Sequence, residues 1–251
     1  MENEPKIAVF VDFENLALGV KDLKGAKFEI ELIIKRLLEK GRIVFKRAYC
    51  DWSHYRQFVR EFHQLGIELV DIPRSRASGK NSADIHMVVD ALDLCYAKTH
   101  IDVFALLTGD SDFSPLVSKL KENDKRVLGC GVRNSTSDIL AASCDEFVYY
   151  DDLIEVSRRR RSRKTKAKKA ASPQQEALER IVETVESLQS DYDDVWGSMV
   201  KQAVKRVYPD FSEAHYGFGS FTELLKAAEQ QGLLQLDFDE RRGNYRVKTA
   251  G

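Results

Sequence analysis

The first 150 residues alternate short apolar runs with segments that carry apolar residues at helical spacing. The runs are rich in β-branched and aromatic residues, which is typical of buried strands. Five strands are predicted, with a short sixth over EFVYYDDLI: KIAVFVDF, RIVFKRAYC, IELVDIP, VFALLTG and KRVLGCGV. Helices are predicted between them over FEIELIIKRLLEKG, HYRQFVREFHQLG, ADIHMVVDALDLCYAK and PLVSKLKEND. This alternation predicts a Rossmann-like α/β fold, a parallel sheet with helices on both faces.

The last eighty residues follow a different pattern. Three stretches have apolar residues at helical spacing: SPQQEALERIVETVESLQS, VWGSMVKQAVKRVYPDF and SFTELLKAAEQQG. Ser220 and Glu223 fit a capping box at the start of the third, and Gly232 fits its end. The final stretch LLQLDFDERRGNYRVKT alternates apolar and polar residues around a turn, which predicts a β-hairpin. Three helices and a hairpin describe a small winged-helix domain.

A basic segment separates the two patterns. Residues 158–169 carry nine positive charges and no negative one, whereas 1–157 hold 21 basic against 26 acidic residues and 170–251 hold 9 against 14. We expect residues 158–171 to be a basic flexible linker between a domain at 1–157 and another at 172–251. Clustered cations gain affinity for phosphates by releasing counterions, so this segment is predicted to bind nucleic acid through Arg158, Arg159, Arg160 and Arg161. A solubilising spacer and a nuclear-targeting segment are the alternatives.

The composition is that of an ordinary globular protein, with 251 residues, 43% hydrophobic and 31% charged. No apolar stretch is long enough to cross a bilayer, and the N-terminal residues do not resemble a secretion signal. The four cysteines are far apart in the sequence, so we expect reduced thiols rather than disulfides or a zinc site. A soluble cytoplasmic protein with no membrane partner is expected.

Acidic side chains follow the strands of the predicted sheet. Asp12 ends the first strand, Asp110 and Asp112 follow the fourth, and Asp84 begins the helix after the third. Because the carboxyl ends of parallel strands meet at one edge, we expect these carboxylates to lie close together. Clustered carboxylates repel one another unless a cation is present, and Mg²⁺ and Mn²⁺ take oxygen ligands. Asp12, Asp84 and Asp110 are therefore predicted as direct or water-mediated metal ligands, and Asp112 as a second-metal or outer-shell ligand.

Other polar residues border this acidic group. The Asn15 amide is predicted to position a phosphate or a metal-bound water, and the hydroxyls of Thr108 and Ser111 to do similar work. For Asp84 taken alone, capping the start of its helix is the alternative.

Three cations, Arg74, Arg76 and Lys80, occupy the loop that leads into Asp84 and are predicted to bind a nucleic-acid backbone. Ordinary solvation of the loop is the alternative for each. Other phosphate-handling classes lack their motifs. The sequence has no DxDxT after the first strand, no Walker phosphate loop, no GxGxxG and no GxSxG elbow.

The segments AVFVDFENL, GKNSADIHMVVDALDL and LLTGDSDFSPLV resemble, in this order, the NYN domain of the LabA-like group, relatives of PIN-domain nucleases. The resemblance covers about residues 6–150. It implies a metal-dependent ribonuclease, with Asp12 and Asn15 in its first motif, Asp84 in its second, and Asp110 and Asp112 in its third.

The second block resembles the LOTUS domain, also called OST-HTH, over about residues 172–249. The residues that carry this resemblance are Trp196, YPDF, YGFGSFTELL and GNYRV. Such domains are linked to RNA or to partner proteins, so Arg241 and Arg242 are candidate nucleic-acid-binding residues. Because the block is acidic overall, a protein partner is favoured about as strongly as RNA.

These features together predict an endoribonuclease that cuts RNA with Mg²⁺ or Mn²⁺ and receives RNA through its linker and LOTUS domain. The alternative is a non-catalytic adaptor that binds RNA or recruits protein and keeps the NYN fold as a scaffold. DNA in place of RNA is a further possibility, since no residue is identified that contacts a 2′-hydroxyl.

Overall fold

The structure is a computed structural model that describes residues 4–23, 28–73, 81–167 and 172–250. The chain divides into two compact units. The first is Met1–Leu37 with Arg42–Arg160, and the second is Leu38–Gly41 with Arg161–Gly251.

The first unit is built on a six-stranded parallel sheet. Its strands are β1 (Lys6–Asp12), β2 (Arg42–Cys50), β3 (Glu68–Asp71), β4 (Val103–Leu107), β5 (Arg126–Gly131) and β6 (Glu146–Tyr149). Its helices are α1 (Phe13–Lys21), α2 (Ile30–Lys40), α3 (Arg56–Gln64), α4 (Ser82–Ala97), α5 (Ser114–Glu122), α6 (Asp138–Ser143) and α7 (Tyr150–Ala167). The predicted α/β fold is confirmed, including the short sixth strand.

The strand order is β3-β2-β1-β4-β5-β6, and every neighbouring pair is parallel. The chain moves outward from β1 to β3 and then returns to place β4 on the other side of β1. Right-handed crossovers therefore put α1, α2 and α3 on one face of the sheet and α4, α5 and α6 on the other. Strands β1 and β4 are buried on both faces, which explains their unbroken apolar sequences.

The second unit has three helices and a hairpin, as predicted. Helices α8 (Pro173–Gln189), α9 (Gly197–Val207) and α10 (Phe221–Gln230) are followed by the antiparallel strands β7 (Leu234–Asp239) and β8 (Asn244–Thr249). The core contains Ile181, Val200, Leu224 and Val247, none of which has exposed side-chain surface. Ser220 caps α10 by accepting a hydrogen bond from the Glu223 N–H at 3.1 Å. The winged-helix prediction is confirmed.

The basic segment differs from its prediction. Residues 158–167 belong to α7, so the segment predicted as a flexible linker is helical at least to Ala167. Arg, Lys and Ala are strong helix formers, and cations near the C-terminal end of a helix are favoured by its dipole. The first turn carries Asp151 and Asp152, which completes the favourable charge order. Residues 168–171 lie outside the described residues.

Ser53 and Ser114 are residues of a type that suits an N-cap, but neither caps the helix that follows it. Helix α3 begins after Tyr55, and Ser53 lies instead in a short 3-10 helix capped by Asp51. Helix α5 begins at Ser114 with Phe113 in the cap position, because a second 3-10 turn over Ser111–Phe113 precedes it.

The cysteines follow the prediction of reduced thiols. Cys50, Cys95 and Cys130 are free and buried, and Cys144 is free and half-buried. None of the helices in the described ranges combines the length and the apolar character that crossing a membrane requires.

Candidate functional site

The strand order reverses between β1 and β4, and the candidate site lies at the carboxyl ends of these two strands. Val11 pairs with Leu107 in the register of the two strands, so Asp12 and the Thr108–Asp110 segment leave the sheet side by side. The crevice beyond such a reversal is where open α/β sheets bind ligands, since connections leave in opposite directions on either side of it.

Asp12 is the buried acid of the site, with a residue exposure of 8%. Its Oδ1 accepts a hydrogen bond from the Asn15 N–H at 3.3 Å and so caps α1, and its Oδ2 accepts one from the Thr108 hydroxyl at 2.9 Å. Burial raises the pKa of Asp12 to about 7, the Thr108 hydroxyl counteracts that rise, and the nearby charges of Asp84 and Asp110 increase it.

Asp84 lies in the first turn of α4, half-buried beside the same group. Burial raises the pKa of Asp84, and the charges of Asp110, Asp112 and Glu14 raise it further. Asp84 makes no side-chain cap, because the N-cap position of α4 is Asn81 and no side-chain capping bond forms there. The structure thus brings Asp12, Asp84 and Asp110 close enough for the ionisation of one to disfavour that of another.

Asp110 and Asp112 lie on the short 3-10 turn after β4. Oδ1 of Asp110 accepts a hydrogen bond from the Asp112 N–H at 2.9 Å, and the Asp110 N–H donates to the Thr108 hydroxyl oxygen at 3.2 Å. Thr108 is fully buried, and its hydroxyl connects the two acids because it donates to Asp12 Oδ2 and accepts from the Asp110 N–H. Asp110 is half-buried, whereas Asp112 is exposed at the outer rim of the group.

Asn15 ties α1 to the loop after β4. Its Oδ1 accepts a hydrogen bond from the Gly109 N–H at 2.9 Å. This bond occupies the carbonyl oxygen of the amide, so the Nδ2 group is the part left to meet a ligand. A phosphate oxygen can accept from an N–H, which fits the phosphate-positioning half of the Asn15 prediction better than the metal-bound-water half.

The loop after β5 forms a wall of the site that sequence reasoning missed. The Ser137 N–H donates to the Gly109 carbonyl at 2.8 Å. A Cβ at Gly109 would lie 2.4 Å from the Ser135 carbonyl oxygen, and one at Gly19 would lie 2.4 Å from Ser135 Oγ. The sequence carried a signal for this loop, because it follows the carboxyl end of a strand in the same sheet.

That loop also brings a cation to the same edge of the sheet. Arg133 Nη2 donates to both carboxylate oxygens of Asp152 at 3.0 Å, and the guanidinium lies 3.9 Å from the centre of the Tyr149 ring. Arg133 is 53% exposed and held in place on two sides. The predicted cations of the loop before α4, Arg74, Arg76 and Lys80, lie outside the described residues.

The acidic group suits a divalent cation that keeps several of its own water ligands. In the described ranges no three His, Cys, Asp or Glu side chains converge into a set that encloses an ion. Mg²⁺ usually binds through one or two carboxylates and keeps several waters, so Asp12 and its neighbours suit it without a closed cage. The donors are hard oxygens, and their mutual repulsion is what a cation relieves. The roles of Asp12, Asp84, Asp110 and Asp112 as ligands stay predictions.

Helix α7 contains the predicted nucleic-acid-binding arginines. Arg158, Arg159 and Arg161 are exposed on α7, and Arg160 is placed there by its backbone alone. Arg159 forms an ion pair with Glu155 one turn earlier, which supports the helix.

In the second unit, Arg241 and Arg242 are exposed on the hairpin turn, as expected for contacts with a polyanion. The Arg242 guanidinium lies 4.7 Å from the centre of the Trp196 ring, and that of Arg246 lies 5.4 Å from it. Arg246 also pairs with Asp194 at 3.2 Å. Among the aromatic residues of this unit, Tyr216, Phe218 and Phe221 are buried, while Trp196 is half-buried.

Comparison with known proteins agrees with this geometry. The NYN domain profile matches residues 6–153, and the OST-HTH/LOTUS domain profile matches residues 173–241. A solved structure from Vibrio parahaemolyticus, described as a protein of unknown function, is similar with a TM-score of 0.54 and 27% identity, covering 61% of this chain and 97% of that one.

A curated relative is the uncharacterized protein MJ0482 of Methanocaldococcus jannaschii, 27% identical over 167 residues, which are 66% of this chain and 64% of the relative. The chain thus spans less than two thirds of that protein's length. NYN domains belong to the PIN-like nuclease superfamily, whose members usually use divalent metals, and LOTUS domains are generally RNA-binding. With more than half of its residues matched by the first profile, the chain belongs to the NYN domain family and carries a C-terminal OST-HTH/LOTUS domain.

Proposed function

We propose that this protein is a metal-dependent endoribonuclease that hydrolyses RNA phosphodiester bonds at the carboxyl ends of β1 and β4. The observation that carries the proposal is the burial of the Asp12 carboxyl and the rise in its pKa. Its carboxyl is buried next to Asp84 and Asp110, and its pKa is raised to about 7. Perturbed acids in a crevice are typical of sites that handle charge, and a divalent cation would relieve this repulsion.

Each residue has a role that follows from its contacts. Asp12, Asp84 and Asp110 hold the ion directly or through water, with Asp112 at the outer rim. When bound, Mg²⁺ or Mn²⁺ would activate a water molecule and neutralise charge that develops on the phosphate. Thr108 keeps the Asp12 carboxylate oriented by donating to Oδ2.

The remaining contacts concern the RNA. Asn15 is fixed through its carbonyl oxygen on Gly109, and its Nδ2 group donates to a phosphate oxygen. The exposed cations of α7 and of the hairpin turn bind the RNA backbone outside the cleaved bond, as do Arg74, Arg76 and Lys80. Such contacts fix the register of the strand without selecting its sequence.

The test is cleavage of labelled single-stranded and structured RNA by the full chain and by Asp110→Asn. Asparagine caps a turn as well as aspartate does, so the 3-10 turn after β4 is kept while the charge is lost. We expect the rate to fall roughly a hundred- to a thousandfold, in line with the loss of one preorganised electrostatic group. Removal of the metal with excess chelator should abolish cleavage, and Mn²⁺ should restore it.

The matched control is Asp138→Asn. Asp138 is exposed in the first turn of α6, and its replacement removes one carboxylate of the same unit outside the acidic group. This variant should cleave RNA at the wild-type rate. Full activity in Asp110→Asn, or undiminished cleavage in chelator, would contradict the proposal.

A non-catalytic RNA-binding or protein-recruiting adaptor is the second candidate. The exposed arginines of α7 and of the hairpin turn favour it, because cations bind a phosphate backbone without a metal ion. Manganese binding measured by electron paramagnetic resonance separates the two functions. The nuclease requires binding that Asp110→Asn weakens, whereas the adaptor predicts no specific binding and RNA retention without cleavage.

A further inference from the structure

The turn end of the hairpin in the second unit exposes an aromatic ring. The apolar face of the hairpin runs through the cross-strand pairs Leu236–Val247 and Phe238–Tyr245. Val247 is fully buried in the core, and Tyr245 is half-buried against it. Phe238 is 51% exposed, so the apolar face continues beyond the core into solvent.

The exposed ring is held in place by its neighbours. The rings of Phe238 and Tyr245 are 4.9 Å apart between centroids and inclined at 52°. Directly opposed residues of antiparallel strands have their Cβ atoms close together, and β7 and β8 keep their register through Asn244. Phe238 therefore lies against the Tyr245 ring while half of its surface is exposed, and this contact reduces the freedom that the ring would lose when a ligand stacks on it.

Cations flank this ring pair. The Lys226 ammonium of α10 lies 5.9 Å from the centre of the Tyr245 ring, and Arg241 and Arg242 occupy the turn that joins the two strands. The hairpin with its turn, residues 233–249, carries four basic against three acidic residues, in a unit that is acidic overall. One of those acids, Asp239, accepts a hydrogen bond from the Arg242 N–H at 3.0 Å. The hairpin thus has a balance of one positive charge within an acidic unit, and Lys226 is the cation placed beside the ring pair.

We propose that Phe238 and Tyr245 form a stacking site for an unpaired nucleobase of RNA, with Lys226 beside the rings binding an adjacent phosphate. An exposed, supported ring beside a cation suits a base in a single strand, because every base has a flat face and each nucleotide brings one negative charge. Bases inside a duplex are already stacked and cannot reach it. The site therefore selects single-stranded segments, and it rests on RNA being the ligand of the proposed nuclease.

The test uses the full chain as Asp110→Asn in chelator, so that RNA is bound without being cut. Affinity for a labelled single strand and for a duplex of the same composition is measured for Phe238→Ala, Phe238→Leu and Phe238→Trp. We expect Phe238→Ala to weaken single-strand binding roughly 5- to 150-fold, the effect of one lost stacking contact, and to leave duplex binding unchanged. Phe238→Leu should lose as much affinity for the single strand as Phe238→Ala does, and Phe238→Trp should retain the affinity of the parent.

Tyr192→Ala is the matched control, since Tyr192 is a 39% exposed aromatic of the same unit outside the hairpin. It should bind both RNAs as its parent does. Wild-type affinity in Phe238→Leu would mean that the ring makes only an apolar contact, as for a protein partner, and would overturn the proposal. Equal losses for single strand and duplex, or no loss in Phe238→Ala, would overturn it as well.

Failure here is distinguishable from failure of the nuclease. Cleavage by the wild-type chain is measured separately and does not depend on the order of affinities among the Phe238 variants. Cleavage without that order refutes the stacking site alone. The order without cleavage refutes the nuclease alone.

Discussion

The two units of the chain place their polar groups in opposite ways. In the first unit, Asp12 is buried at the edge of the sheet next to other acids, and its pKa is raised to about 7. In the second unit, the cluster of core side chains is apolar, and Arg246 and Asp194 form an ion pair that is partly exposed. The first unit buries the Asp12 carboxyl, whose charge opposes folding. The second unit exposes the Phe238 ring, which lies outside its core.

This difference indicates where each unit departs from what stability alone would favour. A buried carboxyl without a compensating cation destabilises the fold at neutral pH. An exposed phenylalanine adds little to stability, because its ring stays in water. Both departures fall where we propose ligands, at the acidic group and at the end of the hairpin.

The largest effect expected on stability is in the core of the second unit. Leu224→Ala deletes a fully buried side chain and should reduce the free energy of unfolding of that unit by about 2–5 kcal/mol. Hydrogen exchange of the α10 amides measures this free energy residue by residue. Leu18→Ala, at a residue 49% exposed on α1, is the control and should cost less than about 1 kcal/mol. An equal loss of unfolding free energy in Leu224→Ala and Leu18→Ala would contradict the expectation that the buried side chain contributes more to stability than the exposed one.

Most substitutions in a protein interior lower the free energy of unfolding, but a second change should raise it. At pH 8 and in chelator, Asp12→Asn should stabilise the fold by about 1–3 kcal/mol, because it removes the buried charge. The folded pKa is about 7 against 3.8 for an ordinary aspartate, so native Asp12 holds a proton that the unfolded chain has released. The contribution of Asp12 to stability thus falls as pH rises from about 4 to about 7, and the advantage of the variant vanishes toward pH 4.

Denaturant unfolding at several pH values measures this difference. Addition of Mn²⁺ at pH 8 increases the difference, because a ligand that binds only the native state stabilises it by RT ln(1 + [L]/Kd). The wild-type protein should gain stability from Mn²⁺, and Asp12→Asn should gain little. A variant that is less stable than the wild type at pH 8 in chelator would show that Asp12 is well accommodated as an anion.

A smaller effect is expected at the start of α10. Ser220→Ala removes the acceptor for the Glu223 N–H and should cost about 1 kcal/mol, because that amide then lacks its capping partner. Ser220→Asn restores an acceptor and is the control. Thermal unfolding followed by circular dichroism measures both, and identical melting curves for Ser220→Ala and the wild type would contradict the cap.

The sequence was sufficient for the sheet and for the convergence of the acids. Strands β1 and β4 have unbroken apolar runs because both of their faces are buried, and the acids that follow them must leave at the same edge. The capping box at Ser220 and the hairpin were also predictable, since each depends on residues only a few positions apart.

The elements that sequence reasoning missed depend on the tertiary fold or on a weak pattern. Helix α1 starts directly at Phe13, and α6 is only six residues long, so neither has a long apolar repeat. The charged end of α7 has no apolar stripe that would reveal a helix. The contacts of Asp90, a residue inside α4, also depend on the tertiary fold, since its Oδ2 accepts hydrogen bonds at 2.7 Å from Arg47 Nη1 and from the Tyr49 hydroxyl.

Gly19 and Gly109 leave no space for even a methyl group where they meet Ser135. A saturation mutagenesis survey scored by RNA cleavage would therefore rank both glycines beside the acids, although neither has a side chain with which to react. In Gly109→Ala, the new methyl group would collide with the loop at Ser135, and a shift of residue 109 would move Asn15, which accepts a hydrogen bond from the Gly109 N–H. A loss of cleavage in variants of Gly19 or Gly109 would show how closely the wall of the cleft is packed there, and would not be evidence that either glycine takes part in the reaction.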